Sequence, residues 1–334
     1  MKIGLRYNLF RNFSTGGGDV FVDRLSKYFE ESNLAKVKSG LIPNYEFGLF
    51  QVSKPKYFNF GKPFFLRLDG VYFDNKQTFE LGIKINQEIE NSVKHAKGVI
   101  FNSNFCKELY ERILKKKIEK PHKTVYCAVP YKLFNPNGSN YKKKLGLENF
   151  TVLVSSANWR RHKRLNELIK FLEIINKSKK KYKLLVLGKK PNNLKNFFHP
   201  DIFFSGKINP NALAPWYRTG DIYVHLSWIE PSGNTQIEAL SCGLPVLCCN
   251  NGGIGETIEY FNGGVVSNCD ETYEFNYLDF YNPPEPDYKI LRQDLEKIEN
   301  NLEIYKKKIK FDLIDIKRAG DEYIEFFREN YKKN

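Results

Sequence analysis

The sequence has no apolar run approaching the ~18 residues that a membrane-spanning helix requires. Its start, Met1-Lys-Ile-Gly-Leu-Arg-Tyr7, is too short and too soon polar for a secretory signal and reads as a first strand, so a cytoplasmic protein is expected. Six cysteines (Cys106, Cys127, Cys242, Cys248, Cys249 and Cys269) show no C-x-x-C or zinc-type spacing, and free thiols are expected. Adjacent Cys248 and Cys249 would face opposite sides of a strand. The histidines, His95, His122, His162, His199 and His225, lack ligand spacing and read as structural, with His225 near the end of a candidate strand. No Asp-x-Asp occurs anywhere, which removes the usual carboxylate clamp for Mg²⁺ on a diphosphate. There is no repeat of 20–50 residues and no Walker lysine after the early glycine run.

What is present is a globular chain of 334 residues, long enough for two domains of ordinary size, with 15% aromatic residues arguing against disorder. The formal charge is +15, gathered at Lys115–Lys117, Lys142–Lys144, Arg160–Arg164, Lys177–Lys183 and Lys306–Lys310. Solvated helix faces account for most such clusters. A basic face giving peripheral contact with an anionic membrane is the functional alternative. Nucleic acid is the weaker partner, since no recognisable nucleic-acid motif accompanies the charge.

Two series of alternating strands and helices run along the chain. In the first, residues 3–9 read as a strand leading into Gly16-Gly17-Gly18, and Phe21, Leu25, Tyr28 and Phe29 mark a helix. Phe64–Leu68 is a strand ending at Asp69, where open α/β sheets place ligands. Asp69 is thus a candidate contact on the acceptor side, with a simple turn aspartate as the alternative. Ile89, Val93 and Ala96 mark a helix, Val99–Asn102 a strand, and Ser103 caps the helix after it. Val125–Val129 reads as the last strand of this half, followed by a polar linker from Tyr131 to Asn149. The second series comprises strands at Thr151–Val154, Leu184–Leu187 and Ile202–Phe204, a helix through Leu165–Leu172, and a charged helical end from Ile304 to Tyr331. The pattern predicts an α/β protein of two doubly wound, Rossmann-like domains.

The densest chemistry lies at Trp228-Ile-Glu-Pro-Ser-Gly-Asn-Thr-Gln-Ile-Glu-Ala-Leu-Ser-Cys-Gly-Leu-Pro-Val246. Ile222–Leu226 is a strand, and Pro231-Ser232-Gly233 breaks the chain and offers capping groups. A compact helix follows, ended by Gly243 and Pro245, and Val246–Cys249 is the next strand. Gly233 has no Cβ, so a ligand can approach the backbone at a helix start, a natural place for phosphate. Glu230 and Glu238 flank that point, and carboxylates accept hydrogen bonds from sugar hydroxyls. The bland alternative is a capped helix with two solvated glutamates.

Ser227, Glu230, Gly233, Glu238-Ala239, Gly243-x-Pro245-Val246, Gly252-Gly253 and Glu256 together match the spacing found in retaining family 4 glycosyltransferases, and the chain resembles that family. The resemblance implies the GT-B fold, two Rossmann-like domains facing a cleft. The expected bounds are an acceptor-side domain at 1–140, a nucleotide-sugar domain at 141–310, and a terminal helix at 311–334 crossing back to the first. Family 4 enzymes carry an arginine and, five residues later, a lysine that grip the donor pyrophosphate. Lys163 matches the lysine, but Asn158 stands at the arginine position, leaving Arg160 or Arg161 as substitutes.

The implied roles are catalytic for Lys163, Arg160 and Glu230. Donor binding falls to Gly16, Gly17, Lys163, Arg161, Gly233, Asn234, Thr235 and Glu238, with the last holding the ribose. The implied reaction is transfer of a sugar from a nucleoside-diphosphate sugar to a hydroxyl acceptor (a glycan, a lipid or a protein-linked sugar), with retention. No cofactor and no metal are expected beyond the sugar nucleotide as co-substrate. The alternatives are a GT-B enzyme of other chemistry (an epimerase or phosphorylase) and a basic nucleic-acid-binding protein.

Overall fold

The computed structural model describes residues 1–5, 17–38, 44–53, 61–73, 79–177, 181–275 and 279–331. The chain divides into two units. The first comprises Met1–Pro130, Glu274–Leu278 and Asp315–Asn334, and the second Tyr131–Tyr273 and Asp279–Ile314.

In the first unit the elements are β1 (Lys2–Leu5), α1 (Gly17–Glu31), β2 (Lys36–Lys38), β3 (Phe47–Gln51), β4 (Phe64–Leu68), α2 (Phe79–His95), β5 (Gly98–Phe101), α3 (Asn104–Leu114) and β6 (His122–Thr124). The sheet order is β2-β1-β3-β4-β5-β6, with every pair parallel. β4 and β5 are buried along their whole length, which is why they read as unbroken apolar runs. Ser103 caps α3 as expected, its Oγ accepting from the Cys106 N–H at 2.9 Å. The helix Ile316–Tyr331 closes one face through an aromatic core, with Phe65 4.8 Å from Phe327 and Phe47 5.1 Å from Phe327 between ring centroids. Gly98 admits this packing, because a Cβ there would lie 2.7 Å from Phe326.

Two expectations need correction in this unit. The strand expected at Val125–Val129 instead lies at His122–Thr124. Val125, Cys127, Ala128 and Val129 are buried, but the terminal helix supplies much of their hydrogen bonding: Arg318 donates to the Tyr126 carbonyl at 2.9 Å and the Ile316 N–H to that of Val129 at 2.9 Å. The helix expected from Ile304 to Tyr331 is broken into Leu302–Lys308, Phe311–Ile314 and Ile316–Tyr331, and the first two belong to the second unit.

The second unit contains β7 (Thr151–Ser156), α4 (Leu165–Ile175), β8 (Tyr182–Leu187), β9 (Ile202–Phe204), α5 (Ala214–Tyr217), β10 (Ile222–His225), α6 (Thr235–Ser241), β11 (Val246–Cys249), α7 (Gly253–Tyr260), β12 (Gly264–Ser267) and α8 (Tyr288–Asn300). Its parallel order, β12-β11-β10-β7-β8-β9, is the doubly wound one, and the direction of winding reverses between β7 and β10.

The stretch 131–149, read as a linker, is docked on this unit. Phe134 is fully buried and its carbonyl accepts from Ser241 Oγ at 2.5 Å. Arg218 holds the Ser139 and Asn135 carbonyls at 2.9 and 3.1 Å, and Lys142 pairs with Asp221 at 2.8 Å. The border therefore falls at Pro130/Tyr131 rather than 140/141. No helix among the described residues is long and apolar enough to cross a membrane.

Candidate functional site

Two loops of the second unit leave adjacent strands at the reversal point, the place where open α/β sheets form a ligand crevice. The first follows β7. Tyr223, fully buried in β10, bonds both backbone groups of Ser156, accepting from its N–H at 3.2 Å and donating to its carbonyl at 3.1 Å. Trp159 Nε1 donates to the Leu187 carbonyl at 3.0 Å. A single 3₁₀ turn, Arg161–Lys163, then leads to Arg164 at φ 53°. This segment is not the solvated basic loop its composition suggests. The His162 ring is buried and stacks on Phe280 at 4.2 Å. Desolvation, together with the neighbouring Lys163 charge, pushes its pKa down to about 3. Arg164 is fully buried, bound to Asp270 at 2.7 Å and the Pro284 carbonyl at 2.8 Å, with its guanidinium 4.8 Å from the Trp228 ring.

The second loop follows β10 and is joined to the first where Trp228 N–H donates to the His162 carbonyl at 2.7 Å. Ile229 sits at φ 49°, a conformation unfavourable for a β-branched residue and worth roughly 1–3 kcal/mol of strain. Its N–H is held by Asn251 Oδ1 at 3.2 Å. The Glu230 carbonyl accepts from Gly253 N–H at 3.0 Å, and a Cβ on Gly252 would lie 2.6 Å from that same carbonyl oxygen. The Gly252-Gly253 pair is thus the surface against which the Glu230 backbone rests.

Glu230 meets Lys163 here. Its Oε1 lies 2.6 Å from Lys163 Nζ, with the two side chains 16% and 15% exposed. Its Oε2 lies 2.9 Å from His225 Nε2. Burial raises the Glu230 carboxyl, but the Lys163 ammonium and the His225 bond outweigh it and hold it far below the usual carboxylate range. Gly233 adjoins the pair: a Cβ there would stand 3.4 Å from Glu230 Oε1 and 2.6 Å from Gln236 Oε1.

Asn234 is the N-cap of α6, its side chain making no cap bond, and Thr235 opens the helix. The helix ends as expected, with Gly243 at φ 86° donating to the Leu240 carbonyl and Leu244 to that of Ala239, a Schellman pair. Glu238 is buried and accepts from Tyr217 OH at 2.9 Å. Neither glutamate is a solvated helix residue.

The two arginines separate. Arg161 is turned to the buried Glu167 at 2.6 Å, whereas Arg160 is exposed and forms no ion pair among the described residues. His225, Gln236, Tyr217 and Tyr223 were not legible as site residues. For His225 the one signal was its distance of five residues from Glu230, across a strand end.

In the first unit, Gly17 opens α1 and Gly16 lies outside the described residues. A side chain at Gly18 would collide with Gln51 and Asp69. Asp69 is bound by the buried Arg67, by Gln51 and by Asn102 Nδ2 at 3.1 Å. It is a fixed carboxylate at the carboxyl edge of the sheet rather than a simple turn residue.

Among the described residues one trio has its donor atoms within metal-sharing distance: Cys249, Cys269 and Asp270, all inside 4.8 Å. Asp270 is already matched by Arg164 and bonded by Asn251, so the trio offers no open anionic pocket for a cation.

Residues 138–275 match the family model described as glycosyl transferases group 1. The matched stretch contains Lys163, Glu230, Gly233 and Glu238. It is 28% identical over 166 residues to the N-acetyl-alpha-D-glucosaminyl L-malate synthase of Bacillus anthracis, a match spanning 46% of this chain and 42% of that one. Among solved structures, sucrose-phosphate synthase from Thermosynechococcus elongatus superposes with a TM-score of 0.73 at 16% identity, covering 99% of each chain. Anabaena HepE in complex with UDP and glucose gives 0.71 at 15% identity, covering 98% of this chain and all of that one. The fold is that of the GT-B glycosyltransferases.

Proposed function

We propose that this protein moves a sugar from a nucleoside diphosphate to a hydroxyl of a glycan- or lipid-linked acceptor, retaining the anomeric configuration and using no metal ion. The observation that carries the reading is the Lys163–Glu230 pair at the reversal point of the second unit, with Gly233 beside it. Breaking the anomeric bond leaves extra negative charge on the diphosphate. Lys163 and Arg160, which forms no ion pair among the described residues, are the cations to take it up in this reading, and removing one such donor commonly costs ~3–4 kcal/mol of transition-state stabilisation. Arg161, committed to Glu167, is the weaker of the two arginine candidates. Glu230 is the carboxylate for the transferred sugar, and Glu238, held by Tyr217, the one for the ribose. The relative solved with UDP and glucose supports a uridine nucleotide as the first donor to try.

Thermal shift against UDP, ADP and GDP, followed by turnover of the corresponding sugars, tests this. A stabilising diphosphate is expected, since binding raises stability by RT ln(1 + [L]/Kd). No shift with any of them, and no sugar transfer, overturns the reading.

A further inference from the structure

Both oxygens of Glu230 are occupied by the protein itself, one by Lys163 and the other by His225. These are the groups a sugar nucleotide would need separately: a cation for its diphosphate and a carboxylate for its sugar hydroxyls. While they face each other the charges cancel, and an arriving anion meets a neutral pair. The two partners differ in freedom. The Glu230 backbone is fixed by Gly253, by close contact with Gly252 and by the adjoining Ile229, and its side chain is held by the buried His225. Lys163 carries its ammonium on a four-carbon stem from a single 3₁₀ turn, so it is the member that can swing. The edge of Oε1 faces the position that Gly233 leaves without a side chain.

We propose that the Lys163–Glu230 ion pair is a counter-ion lock, opened when a diphosphate takes Lys163, and that His225 is the positioning residue that keeps Glu230 in place once the lysine has left. The released Oε1 then accepts a hydroxyl of the transferred sugar, so diphosphate capture and sugar recognition are coupled through one proton-free exchange of partners. This rests on the donor-site reading above.

The lock opposes diphosphate binding, and that is its measurable signature. Partly buried pairs matter more than surface pairs. Removing the carboxylate charge in Glu230→Gln should therefore tighten UDP or inorganic pyrophosphate by about tenfold, equivalent to 1.4 kcal/mol, while kcat falls. In a Lys163→Met background the same Glu230→Gln change should bring no tightening, because there is no cation to release. Glu230→Asp, one methylene shorter, gives a second reading if the Gln variant does not fold, with tightening of about two- to threefold from the lengthened pair. His225→Leu should lower kcat without changing UDP affinity, and His225→Gln, which keeps an N–H donor, should recover part of it. A merely structural histidine would show loss of stability and no such split or recovery. If wild-type protein binds UDP and the Glu230 variants bind it equally or more weakly, the lock is wrong and the donor site stands. If wild-type protein binds neither probe, the donor-site reading fails first. Equal kcat in His225→Leu and wild type removes the positioning role.

Discussion

Arg164→Met tests whether the loop carrying Lys163 is held by a buried charge pair rather than by its own turn. The Arg164 and Asp270 side chains are 0% and 2% exposed, 2.7 Å apart. Arg164 also donates to the Pro284 carbonyl and lies over Trp228. Methionine fills much of the volume but leaves Asp270 with Asn251 as its remaining bonded partner in the network, a buried charge without a counter-ion. Breaking such a pair from one side costs about 3–5 kcal/mol. The second unit has roughly 180 residues. At ~2.1 cal/mol/K per residue, its unfolding entropy is ~0.4 kcal/mol/K, and a loss of ~4 kcal/mol lowers its Tm by about 10 °C. If the whole chain melts in one step the drop is nearer about 6 °C. Differential scanning calorimetry reads this directly. Adding Asp270→Leu should restore most of the loss, because no charge is then left unpaired. A single variant melting within about 2 °C of wild type would refute the reasoning, and so would a double variant worse than the sum of the two singles.

Lys163→Ala should lower kcat by about 10²-fold or more, with Lys163→Arg recovering a part, since a planar fork does not replace a point charge; steady-state kinetics with the identified donor decides, and near-normal turnover in the Ala variant removes Lys163 from the chemistry. Transfer should survive EDTA, given the missing Asp-x-Asp and the cations at 160 and 163; activity lost to chelation and restored by Mn²⁺ or Mg²⁺ would contradict it. His162 is buried neutral with a pKa near 3, so the unfolded chain binds a proton below pH ~6.5 that the folded chain refuses. Stability is then fully present above that pH and falls by up to ~1.4 kcal/mol per pH unit as pH drops toward 4.5, before the Glu230 pair begins to add its own loss. Urea unfolding at pH 7, 6 and 5 should show this slope, and His162→Phe should flatten it; an unchanged slope in the variant rules out His162 as its source.

Much of the architecture was legible because local and global signals agreed. The strands at 64–68, 151–154 and 184–187 are short apolar runs between polar turns, and parallel strands buried on both faces have to look like that. The spacing from Ser227 to Glu256 was equally readable, since glycines there answer to backbone contacts: Gly243 to a left-handed turn, Gly252 to the Glu230 carbonyl. Other features depended on residues far apart in the chain. Val125–Val129 has the composition of a strand, but Ile316 and Arg318 bond its backbone, and no local pattern reveals a partner nearly two hundred residues away. The segment 131–149 is polar enough to pass for a linker, yet Arg218, Ser241 and Asp221 pin it down.

The site divides in the same way. Sequence alone determined which residue types stand at the reversal point, because strand ends and glycine turns are local properties. Tertiary structure decided their pairing: Arg161 turned to Glu167 while Arg160 forms no ion pair among the described residues, Glu238 under Tyr217, and the buried His225 on Glu230. A charge is visible in a sequence, but what it faces is set by the packing of separate strands and helices, and only that packing determines whether a lysine is solvated, locked to a carboxylate or free to bind an anion.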